Sequence, residues 1–152
     1  MVVPYPSSFG DIVAAISIVR SIYNALSDSR GSSFEYQCLV EELRSFEEAL
    51  HSVDAVLKTA PLSDSLRQAI NAETASCLKL LTKFWGRIDR YEVVLSGKWT
   101  AIWRKITWAI WKAEEVESFR RKISQHKQNI TLFLGGLQMQ VHIRWSSPSS
   151  SC

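Results

Sequence analysis

Three histidines, three cysteines and the acidic pairs of residues 41–48 are the side chains of this chain best placed to do chemistry. Acid–base or nucleophilic catalysis needs such groups within hydrogen-bond reach of one another. His51, His126 and His142 share no motif that would arrange this. Cys38, Cys77 and Cys152 are an odd number and lack the paired spacing of a metal site, so they read as reduced thiols. The neighbours Glu41 and Glu42, and Glu47 and Glu48, resemble a solvated helix face more than a catalytic carboxylate pair. There is no glycine-rich phosphate loop and no nucleophile accompanied by a base. No catalytic residue, metal or cofactor is therefore expected, and an enzyme is not the reading these residues favour.

A different kind of chemistry is concentrated between Trp99 and Lys122. This stretch holds four of the six tryptophans and closes on the cationic run Arg120, Arg121 and Lys122. At about 100° per residue, Trp99, Trp103, Ile106 and Ile110 share one side of a helix. Trp108 falls opposite, with Arg104 a turn before it and Trp111 nearby. Aromatic surface beside positive charge is what a contact surface uses. Arg104, Trp108 and Trp111 form the candidate contact patch. The alternative is that Trp108 and Trp111 pack on the last helix or on the N-terminal segment, and the solvent accessibility of the two indoles separates the cases.

The elements that would carry this patch follow from apolar spacing. Residues 1–8 hold two prolines and read as a lead-in, with Ser8 as an N-cap and Asp11 in the first turn. A first helix is expected from Phe9 to Leu26, with Ile12, Ile16, Val19, Tyr23 and Leu26 on its stripe and Val13, Ile18 and Ile22 widening it. So apolar a helix belongs in the centre of a bundle, or could be released to a membrane. Ser32 and Glu35 fit a capping box for a second helix. Its stripe is Tyr36, Leu39, Leu43, Phe46, Leu50, Val53 and Leu57, and Pro61 ends it. Ser63 and Asp64 cap a third, with Ile70, Thr74, Cys77, Leu81, Phe84, Ile88, Tyr91 and Leu95 in register and a stop at Ser96-Gly97.

The tryptophan helix, Trp99 to Lys112, comes next. A fifth helix starts near Ala113 and carries Val116, Phe119, Ile123, His126, Ile130, Phe133 and Leu137. His126 reads there as a partly buried, hydrogen-bonded side chain, and Gly135-Gly136 as a weak helix end. The stripes alternate three and four, the spacing of helices packed at about +20°. The expected fold is all-α, an antiparallel bundle of about five helices of the four-helix-bundle type. Its helical domain spans residues 9–142, followed by a disordered Ser-rich tail over 143–152.

Charge is unevenly divided within a formal net charge of +3. The second helix carries Glu35, Glu41, Glu42, Glu47, Glu48 and Asp54 against Arg44 and Lys58, whereas residues 99–152 are basic. Acidic and basic helices can complement each other inside one bundle. The alternative is a basic face that meets anionic lipid or an acidic partner. Nucleic acid is not expected, because the basic residues fit no recognised module. The N-terminus lacks a secretory pattern and no apolar run is long enough to span a bilayer. The expected location is cytoplasmic, peripheral at a membrane if the basic face meets lipid.

Several blocks carry a resemblance. They are Phe9-Gly10-Asp11-Ile12, the run from Phe34 to Leu50, Trp103 to Ile110, Lys112 to Phe119, Ile123 to His126, and Asn129 to Leu132. Together they resemble a family of fungal N-terminal helical domains that front NLR-like receptors of the NACHT or STAND type and proteins with a ubiquitin-like domain. The resemblance implies a HeLo-like helical bundle, and a role in signalling linked to incompatibility or programmed cell death. It also implies a protein partner, through other helical domains or self-association, and in some members engagement of a membrane through the first helix.

Overall fold

The computed structural model describes residues 8–27, 34–59, 61–94 and 113–146. These form four helices: α1 (Ser8–Ser27), α2 (Phe34–Thr59), α3 (Asp64–Val94) and α4 (Ala113–Ser146). No strand occurs among the described residues. The helix expected over Trp99–Lys112 lies outside them, so four helices of the expected five are seen. The same holds for Arg104, Trp108 and Trp111, for Ser32 and Ser96-Gly97, and for residues 1–7 and 147–152.

The helix ends follow local chemistry. Leu66 donates its backbone N–H to Ser63 Oγ at 3.4 Å, and Arg67 N–H closes on the Ser63 carbonyl at 3.0 Å. Ser63 thus caps α3, and Asp64 places a carboxylate at the positive end of the helix. α2 stops at Thr59, two residues before Pro61, whose ring is incompatible with a helix interior. One boundary differs from expectation. α4 runs through Gly135 and Gly136 to Ser146 instead of weakening there, because residues on both sides of the pair, Ile130 and Leu137, are anchored in the core.

Burial follows the stripes closely. Tyr36, Leu39, Leu43, Phe46, Leu50, Val53 and Leu57 of α2 are all buried, as are Ile70, Thr74, Cys77, Leu81, Phe84 and Ile88 of α3. α4 contributes Val116, Phe119, Ile123, Ile130 and Leu137. Thr74, the one buried polar residue in this set, donates its hydroxyl to the Ile70 carbonyl at 2.8 Å and so leaves no unsatisfied group. α1 keeps most of its expected face: Ile12, Ile16, Val19, Ile22 and Leu26 are buried. It departs at Val13, which is 55% exposed, at Tyr23, which is half-buried, and at Ala15, which is buried instead. The reason is that α1 has two neighbours, α2 and α3, and turns the edge bearing Ala15 and Ile22 inward between them.

The helices are arranged as a ring. α1 packs on α2 and α3, and α4 packs on the same two helices. α2 and α3, consecutive in the chain, therefore sit across the bundle from each other, as do α1 and α4. Register follows from the cross-links. Arg87 meets Glu115 and Glu73 meets His126, so α3 and α4 are antiparallel. Only residues 60–63 separate α2 from α3, so the end of α2 and the start of α3 share one end of the bundle; α4, antiparallel to α3, ends there too and runs parallel to α2, with Lys127 meeting Glu42. The bundle is thus not antiparallel at every contact. Between α2 and α3 Leu62 lies half-buried against the core.

Candidate functional site

The polar side chains that reach inward do so along the edges where helices meet. The most enclosed group lies between α3 and α4. His126 Nδ1 and Glu73 Oε1 are 2.5 Å apart, with the two side chains only 15% and 16% exposed. Asn129 donates its Nδ2 amide to the same Oε1 at 3.1 Å. One turn of α3 beyond Glu73 lies Cys77, fully buried. Its thiol is pushed up to about 12, first by burial and then by the negative charge of Glu73.

Histidine beside a carboxylate is the orienting half of a catalytic triad. The third member would be a nucleophile activated by the imidazole. Cys77 does not meet that requirement, because burial holds it firmly protonated and a thiol reacts as its thiolate. With Asn129 completing the carboxylate's partners, the cluster fixes the register of α3 on α4.

A second seam joins α2 and α4. Lys127 Nζ lies 2.6 Å from Glu42 Oε1, both side chains mostly covered. Two turns earlier on α4, Arg120 holds Glu117 with both prongs, Nε to Oε2 at 2.9 Å and Nη2 to Oε1 at 2.8 Å. Arg121 adds a longer bond at 3.3 Å. The Arg120 hydrogen bonds keep the Glu117 carboxyl below its ordinary range. Both groups are solvated, so this pair contributes little to stability. The third seam joins α1 and α2. Arg20 donates to Glu47 Oε1 at 2.8 and 3.1 Å, and His51 Nε2 stands 3.5 Å from the same oxygen.

The acidic pairs of α2 therefore divide. Glu41 and Glu48 are exposed, as a solvated face requires. Glu42 and Glu47 are half-buried and tied to neighbouring helices. Complementarity between the acidic and basic helices is realised at Glu42 and Lys127. His126 takes the hydrogen-bonded, partly buried place its register implies, whereas His51 pairs within α2 and the His142 side chain lies outside what is described. Glu73 was not singled out by sequence reasoning. Its signal is its position, one residue before buried Thr74, at the margin of an apolar stripe, where a lone carboxylate needs a partner on the facing helix.

A groove of about 240 Å³ opens between α3 and α4. Lys83, Arg87, Glu114, Glu115 and Lys122 line its walls over the rings of Phe84 and Phe119. These rings stack nearly parallel, 5° apart in plane with centroids 3.6 Å apart. Cations and carboxylates share the walls, and Arg87 is already paired with Glu115 at 3.2 Å. The groove consequently favours neither sign of ligand. Among the described residues no three potential metal ligands come together. No helix among them is long and apolar enough to cross a membrane.

No family model matches this chain, and no curated protein or solved structure matches it either.

Proposed function

We propose that this chain is a non-enzymatic signalling or interaction domain, a helical bundle that acts by contact with other proteins. The observation that supports the reading is the use made of its reactive side chains. Glu73, His126, Asn129, Glu42, Lys127, Arg20 and Glu47 bind helix to helix, and the best-placed thiol is held protonated. What is left for an outside molecule is surface. The resemblance of the blocks from Phe9 to Leu132 to fungal receptor-associated domains points the same way, toward a cytoplasmic role in incompatibility or cell-death signalling. In this reading the contact surface includes Arg104, Trp108 and Trp111.

Radical footprinting of the full chain, read at individual tryptophans by mass spectrometry, tests it. Trp108 and Trp111 are expected to oxidise at rates typical of exposed indoles. Full protection of both in the free protein would remove the patch. The second reading, a membrane-active bundle, draws on the tryptophans and cations of residues 99–122, since each basic side chain near an anionic surface contributes about 1 kcal/mol. Sedimentation with vesicles at low salt separates the two. Binding to anionic but not neutral vesicles, with Trp108 and Trp111 newly protected, would favour the membrane, whereas free protein in both favours a protein partner.

A further inference from the structure

We draw no further inference here: the strongest candidate, the groove between α3 and α4 over the rings of Phe84 and Phe119, carries nothing, because cations and carboxylates share its walls and nothing among the described residues shows what covers it.

Discussion

Replacing Phe46 with alanine is expected to lower the unfolding free energy by about 3–5 kcal/mol. Phe46 is fully buried on α2, the helix that packs on both α1 and α4, so truncation leaves a cavity in the core. The lost transfer energy and the unfilled volume add, because the surrounding side chains relax only in part. A domain of this size commonly has about 5–15 kcal/mol of stability in all, so the variant should sit near the edge of folding. Urea titration followed by circular dichroism would show the midpoint move with little change in slope. Phe34→Ala is the control. Phe34 is 76% exposed at the start of α2, and its loss should change stability by no more than about 0.5 kcal/mol. Equal effects from the two substitutions would mean that α2 does not face the core as described.

The second large effect concerns Cys77. Its thiol is raised from 9.0 to about 12 by burial, with the Glu73 charge contributing less. At pH 8 this lowers the thiolate fraction by about a thousandfold relative to a free thiol. An alkylating reagent should therefore label Cys38 readily while Cys77 reacts only after unfolding. The same shift sets the sign of a pH dependence. In the folded chain the proton is held more tightly than in the unfolded chain. The contribution is therefore present in full below about pH 9 and is lost as pH rises toward about 12, amounting to roughly 4 kcal/mol at most. Comparing the wild type with Cys77→Ala from pH 8 to pH 11 isolates it: the wild type should lose stability faster. Glu73→Gln lowers the folded thiol's value, so the decline should be smaller and end at a lower pH, but only modestly, because burial is the larger cause. Rapid labelling of Cys77 in the native chain at pH 8 would contradict the placement of this side chain.

Periodicity made most of the core legible. The stripes of α2 and α3 name the buried residues from Tyr36 to Leu57 and from Ile70 to Ile88, because each of these helices turns a single apolar face to the bundle centre. α1 was harder. Its apolar residues cover most of its circumference, so spacing widened the face toward Val13, which is exposed, and passed over Ala15, which is buried. Two neighbouring helices made the choice. The ring order was also hidden, since short connections favour neighbours in sequence as neighbours in space, and here α2 and α3 lie on a diagonal. The polar seams were half visible. The register of His126 foretold a hydrogen-bonded histidine, but its partner Glu73 could be known only once α3 and α4 were set antiparallel. Gly135-Gly136 illustrates the opposite error. Local propensity argued for a weak helix end, and the core contacts of Ile130 and Leu137 overrode it.

The parallel alignment of α2 with α4 is the feature on which the chain direction around the ring and the pairing along its seams depend. Spin labels report it directly, in a chain from which Cys38 and Cys152 have been removed. Labels at Gln37 and Arg121 should lie close together across adjacent helices spaced about 8–10 Å apart. Labels at Gln37 and Gln138 should lie farther apart by most of the roughly 25 Å that separates Arg121 from Gln138 along the helix. A long first distance with a short second one would mean that α4 runs the other way, and the ring described above would be wrong.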